Sequence, residues 1–176
     1  DIAAALRASS PEGEIVLLTS PNSSTAIGYY GRFKTLGTLY WENGDGLKKA
    51  AAIHAASSQE IAGELIRKNR VTHVAMISEE NFVEQYFRLS RPEASAEDFK
   101  KCFGYQLLVD RVVPTWLQMV PYKVPDDLAP LKISVMLFKV AFDQSPADAL
   151  YHIAISKIAT GATEEAERDL DQLILQ

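Results

Sequence analysis

The sequence has a single cysteine, Cys102, among its 176 residues, so it can form no intrachain disulfide and no thiolate cluster for zinc. It has no excess of positive charge. The 18 Lys and Arg are interspersed with 23 Asp and Glu, giving a formal net charge of −5. That leaves no basic stripe of the kind phosphate-backbone binding needs, and nucleic acid is not an expected partner. Long apolar runs are missing as well: Ile15 to Leu18 and Val135 to Phe138 fall far short of the roughly 18 residues that read as a membrane span. Also absent are the GxxxxGK[ST] phosphate loop, GxGxxG after the first strand, the GxSxG nucleophile elbow and HExxH, which leaves an independent hydrolase without a nucleophile motif. His54, His73 and His152 stand far apart with no ligand spacing. They read as structural residues, and no metal or other cofactor is expected.

What is present is ordinary for one globular domain with one sizeable core: 47% apolar and 23% charged residues. The chain opens at Asp1, with no methionine, basic n-region or hydrophobic h-region, and is expected to be an excised domain or a processed product.

Apolar spacing predicts a short opening helix over Ile2 to Ala8, and the unbroken run EIVLLTS, Glu14 to Ser20, reads as a strand buried on both faces. Asn22, Ser23 or Ser24 is then positioned to cap a helix ending near Gly31. A second strand is expected over Lys34 to Tyr40, followed by ENGDG as a loop and a helix from Leu47. Ser57 with Glu60 forms a capping box for a helix whose stripe is Ile61, Ala62, Leu65 and Ile66, and Thr72 to Ser78 is a third strand. Helices follow from Glu79 to Arg91 and from Ser95, the second carrying Phe99, Cys102 and Phe103. Four prolines between Val112 and Pro130 predict loops or turns there. Leu131 to Val140 is a fourth strand. Ser145 and Pro146 then open a helix running to about Thr160, Gly161 makes a turn, and Thr163 opens a last helix with Ala166, Leu170, Leu173 and Ile174 on one face. Alternating strands and helices predict an α/β fold of three layers: a mostly parallel sheet of about four strands flanked by helices. Residues 1–144 form the α/β part, and residues 145–176 a tetratricopeptide-like helical hairpin packed on it.

Cys102, beside Phe99 and Phe103, reads as a buried, inert thiol. The triplet at Asn22 to Ser24 matches a glycosylation sequon, but its residue types are also those a helix N-terminus demands. Ser23 and Ser24 there, just after a parallel strand, are candidate anion-binding residues. The richest stretch is GYYGRFKTLGTLYWENGDG, Gly28 to Gly46, which holds five of the nine glycines. Tyr29, Tyr30, Tyr40 and Trp41 flank a strand there, and Glu42, Asn43 and Asp45 follow at its carboxyl end. Aromatic faces beside carboxylates and amides suit a glycan or peptide, and ligands favour that edge of parallel sheets. The same residues also read as helix–strand packing and a polar turn. Trp116 in the proline-rich segment is a candidate anchor for a protein-interaction surface.

From Ser20 to Ser78 the order of features is a Tyr-Gly at a helix end (Tyr30, Gly31), a basic residue (Arg32 or Lys34), a strand, an acidic-Asn pair (Glu42, Asn43), an Ala-rich helix, SSQEIAGELI, and VTHVAMIS. This order resembles the soluble region that follows the membrane spans in polytopic glycosyltransferases of the C superfamily, especially oligosaccharyltransferase catalytic subunits. Ile27, Gly28 and Tyr29 stand where that family has Trp-Trp-Asp. The resemblance implies a non-catalytic accessory domain on the extracytoplasmic, periplasmic face of a membrane, with the membrane-embedded portion of the same chain as its partner. It would position a glycan, lipid-linked sugar or peptide acceptor through Tyr29, Tyr30, Arg32, Trp41, Glu42, Asn43 and Asp45. The alternative from the residues alone is a free-standing, cytoplasmic α/β binding domain for a small anionic ligand, or an interaction module.

Overall fold

A computed structural model describes residues 2–78, 81–159 and 161–174, the side chains of residues 41 and 172–174 excepted. The expected helix start at Glu79, the Thr160 helix end, the Trp41 side chain and the stripe positions Leu173 and Ile174 lie outside the described residues.

Helix α1 spans Ile2–Ser9, β1 Val16–Leu18, α2 Pro21–Gly31 and β2 Lys34–Leu36. Next come α3 (Gly44–His54), α4 (Gln59–Lys68), β3 (His73–Ile77), α5 (Phe82–Ser90), α6 (Ala96–Lys101) and α7 (Phe103–Leu108). The remaining elements are β4 (Leu117–Val120), β5 (Val135–Val140), α8 (Pro146–Ala159) and α9 (Thr163–Ile174). The strands form one sheet in the order β2-β1-β3-β5-β4. β1 pairs in parallel with β2 (Leu17↔Thr35) and β3 (Leu18↔Val74), whereas β5 is antiparallel to both β3 (Ala75↔Leu137) and β4 (Met119↔Phe138).

The fold is α/β, with a five-stranded mixed sheet where about four mostly parallel strands were expected. The extra strand, β4, lies inside the proline-rich segment predicted to be loops. Its four residues fit between Pro114 and Pro121, so neither proline occupies a pairing position. Between β4 and β5 the chain makes only a 3-10 turn over Asp126–Leu131. With no crossover helix, the two strands pair antiparallel. The predicted fourth strand begins at Val135 rather than Leu131 for the same reason.

Every residue of β3 is buried, and its alternation divides the core between the sheet's two faces. Val74 and Met76 join Leu18, Phe138 and residues of α3, α4, α5 and α7 on one side. Ala75 and Ile77 join Leu17, Leu137, Leu6 of α1 and Ile27 of α2 on the other. Helices therefore cover both faces, as three layers require. Trp116 is half-buried and packs against the first cluster, its ring stacked with Phe103 (5.8 Å) and Phe142 (5.5 Å). A ring engaged by two aromatics of its own chain acts as a packing residue, which weakens the expected interaction anchor.

Capping explains several boundaries. The cap of α2 is Ser20, not Asn22, Ser23 or Ser24: its Oγ accepts from Ser23 N at 3.1 Å, and Pro21 follows in the first helical position. Ser58, not Ser57, caps α4, and this register leaves Ile61 exposed at the stripe's edge. Ser95 and Asp98 form a reciprocal capping box for α6, and Ser145 with Asp148 repeats it at α8. The expected ENGDG loop instead starts a helix: Trp41–Asn43 form a 3-10 turn and α3 begins at Gly44. Extended backbone at Cys102 splits the expected single helix from Ser95 into α6 and α7. At the C-terminal end α8 packs on β4 and α9 on α8. Gly161 turns the chain between them at φ +86°, and Lys157 reaches across to Asp169 at 2.8 Å.

Candidate functional site

β1 is where the sheet's connections diverge. Helix α2 leads from it to β2 across one face, while α3 and α4 lead from β2 to β3 across the other. The crevice at the carboxyl ends of β1 and β3 is therefore where open α/β sheets hold ligands, and the loops after β1 and β2 lie along the same edge. At this edge Thr19, Ser20 and Ser24 are fully buried. The Ser23 amide is engaged by Ser20 Oγ, and Ser24 N bonds Ser20 O at 2.8 Å. Among the described residues, Thr19 Oγ1 and Ser24 Oγ have no hydrogen-bond partner.

Beside the start of α2, a shallow depression of about 360 Å³ is lined by Asn22, Thr25, Leu39 and Tyr40. Leu39 and Tyr40 are 61% and 62% exposed. Glu42 and Asp45 lie exposed on the same loop, Asp45 in the first turn of α3, where the helix dipole favours its charge. Asn43 is committed to the fold. Its Nδ2 donates to Thr38 Oγ1 at 2.9 Å, and its side chain fills the space a Cβ on Gly46 would need. Gly37 permits the loop: at φ +84°, an added Cβ would meet Ala50 Cβ at 2.7 Å and Tyr86 Oη at 2.9 Å.

Tyr29, Tyr30 and Arg32 lie elsewhere. Because β1 and β2 are parallel, α2 must run back along the sheet, and its 11 residues carry the chain about 16 Å away from that edge. Tyr29 and Tyr30 are 78% and 79% exposed in its last turn, with rings edge to face at 5.4 Å. Arg32 follows in the left-handed region at φ 53°, capping the helix. The structure thus gathers Tyr40, Glu42, Asn43 and Asp45 with Ser23 and Ser24 at one edge, and places Tyr29, Tyr30 and Arg32 at the opposite one.

The remaining chemistry-bearing side chains are internal. His54 is fully buried. Its Nδ1 donates to Ala50 O at 2.9 Å, its ring lies 5.3 Å from Phe82 and 5.1 Å from Tyr86, and burial pushes its pKa down to about 4. His73, 1% exposed, lies between Ser9 Oγ (3.1 Å) and Thr72 Oγ1 (2.9 Å). Burial first, then the nearby Lys139 and Arg7, lowers its pKa to about 4. Burial raises the Cys102 thiol, which is therefore inert as expected. Among the described residues no group of three or more His, Cys, Asp or Glu could hold a metal ion, and no helix is long and apolar enough to cross a membrane.

A larger cavity, about 620 Å³, lies where β4, β5 and α8 meet. Sequence reasoning missed it because its wall is contributed by residues from Arg111 to Glu165, brought together only by β4–β5 pairing and the hairpin. Its β4 wall also lies in the proline-rich segment predicted to be loops or turns.

No protein-family profile matches the chain, and no curated protein does. Solved structures that resemble it include two of the C-terminal globular domain of oligosaccharyltransferase from Archaeoglobus fulgidus. The first superposes with a TM-score of 0.56 at 17% identity, over 79% of this chain and 94% of that one. The second gives 0.53 at 16% identity, over 81% and 94%. At these identities the likeness is one of fold: this chain has an α/β architecture similar to that of the oligosaccharyltransferase C-terminal domain.

Proposed function

We propose that this chain is a non-catalytic accessory domain of a membrane glycosyltransferase-like protein, lying on the extracytoplasmic face and positioning a glycan, lipid-linked sugar or peptide acceptor. The observation that carries the reading is the extent of the fold likeness: 94% of an oligosaccharyltransferase C-terminal domain finds a counterpart here. The order of features from Ser20 to Ser78 supports the same reading. On this account residues 1–144 form the α/β body and residues 145–176 a hairpin appended to it.

The two edges take different roles, since about 16 Å of helix is too far for one sugar to bridge. The depression at Tyr40 receives the ligand, with the ring as a stacking face and Glu42 and Asp45 as hydrogen-bond acceptors; Trp41 belongs to the same loop. Asn43 shapes that loop, and Ser23 and Ser24 shape the helix start beneath it. Tyr29, Tyr30 and Arg32, an exposed aromatic pair beside a cation, face the membrane-embedded partner. Titrating isotope-labelled protein with soluble oligosaccharides and with an Asn-X-Thr peptide tests the ligand edge. Amide shifts should concentrate at residues 39–45 and vanish in Tyr40→Ala. Shifts confined elsewhere, or unchanged in Tyr40→Ala, would refute the assignment.

A further inference from the structure

The cavity beneath the hairpin joins an apolar wall to a cation that has no carboxylate partner among the described residues. Val120, Tyr122, Ile133, Val135, Leu137 and Ile153 supply much of the wall, and Arg111 lies at its edge. The Arg111 guanidinium rests against Met136 Sδ and donates from Nη2 to Ser134 Oγ at 2.9 Å. Ser134 is itself held, its amide donating to Ser78 Oγ at 2.8 Å while its carbonyl accepts from Ser78 N at 2.9 Å. The fork is thereby fixed in place. The other cations of the lining have carboxylate partners: Lys157 with Asp169 at 2.8 Å, and Lys123 with Asp126 at 2.8 Å. Among the described residues Arg111 has none. The residue is exposed overall, but its guanidinium is held at the cavity by Met136 and Ser134, so an anion there meets an oriented, charge-assisted donor with no competing carboxylate. The volume, about 620 Å³, lies within the roughly 300–1,000 Å³ usual for small-molecule sites.

We infer that this cavity binds a linear amphiphile, its alkyl chain against the β4–β5 wall and its single anionic head on Arg111. The site shares no lining residue with the Tyr40 depression or the Tyr29–Tyr30 face, and does not rest on the glycosyltransferase-like reading.

Calorimetric titration of the chain with decanoate, decyl phosphate, decanol and decyltrimethylammonium tests it. Both anions should bind one per chain, at least about tenfold more tightly than decanol or the cation, as expected for losing one charge-assisted hydrogen-bonded pair. The order of the two anions identifies the head group. Arg111→Gln should weaken the anions about tenfold and leave decanol unchanged, and Ile153→Trp, which fills the cavity, should abolish binding of all four. The wild-type head-group series needs no variant to fold, and thermal melts check both variants. No binding of either anion at about 1 mM, cation binding equal to anion binding, or an anion affinity unaffected by Arg111→Gln would overturn the inference.

Discussion

Two buried histidines should make this fold lose stability as the solution is acidified, before its carboxylates contribute. His54 has an ordinary value of 6.5 that burial lowers to about 4, and His73 has the same two values. The unfolded chain therefore binds protons that the folded chain refuses throughout that window. Stability is complete above 6.5 and declines as the pH falls from 6.5 towards 4. From 6.5 to about pH 5 the loss from His54 is 1.5 units at 1.36 kcal/mol each, about 2 kcal/mol. His73, 1% exposed, adds up to about the same again. Glu14, Glu60, Asp98, Asp126 and Asp148 have depressed values starting from 4.5 or 3.8, so their effect begins lower. Urea unfolding at closely spaced pH values measures the slope, and His54→Gln should remove about half of it whatever that variant does to stability at neutral pH. A flat profile between pH 6.5 and about 5, a rise on acidification, or a slope unchanged in His54→Gln would refute the reasoning.

Trp116→Ala should cost about 3 kcal/mol, because it empties the space between Phe103 and Phe142; denaturant unfolding checks this. Gly37→Ala combines a left-handed backbone with a clash against Ala50 and Tyr86, and should cost about 3 kcal/mol in the same assay. Arg32→Gly relieves the strained cap of α2 and should gain about 0.5–1 kcal/mol, seen as a raised melting temperature. Tyr29→Ala and Tyr30→Ala remove exposed rings and should each stay within about 0.5 kcal/mol of the parent.

The sequence was most legible where local signals agreed. EIVLLTS and THVAMIS, each with an apolar centre, became β1 and β3, the second buried along its whole length. Ser95 and Ser145, each followed by an acidic residue in the first turn, announced α6 and α8. Caps were ambiguous where several good capping residues adjoined. In SPNSS the proline settles the matter, since Pro21 belongs at the first helical position and Ser20 before it. β4 was hidden by its brevity and by flanking prolines, which lie outside the ladder rather than within it. With β4 unseen, the antiparallel pairing of β5 could not be deduced, nor the cavity those strands form with α8. The aromatic stretch reads equally as a ligand site or as helix–strand packing; that Tyr29, Tyr30 and Tyr40 are exposed, and that they are split between two edges, follows only from the direction of α2. Arg111 has no motif of any kind. Its significance comes from Ser134 and Met136, more than twenty positions away.

On the proposed function this domain serves a membrane-embedded partner, with the Tyr29–Tyr30 face turned towards it. Installing a photoreactive phenylalanine at Tyr30 in the native polypeptide, irradiating cells and mapping the crosslinks tests that claim most directly. The account predicts crosslinks to transmembrane segments or their extracytoplasmic loops, lost when the photoreactive group is moved to the solvent-facing position Glu64. Crosslinks confined to soluble cytoplasmic proteins, or none from Tyr30, would contradict it.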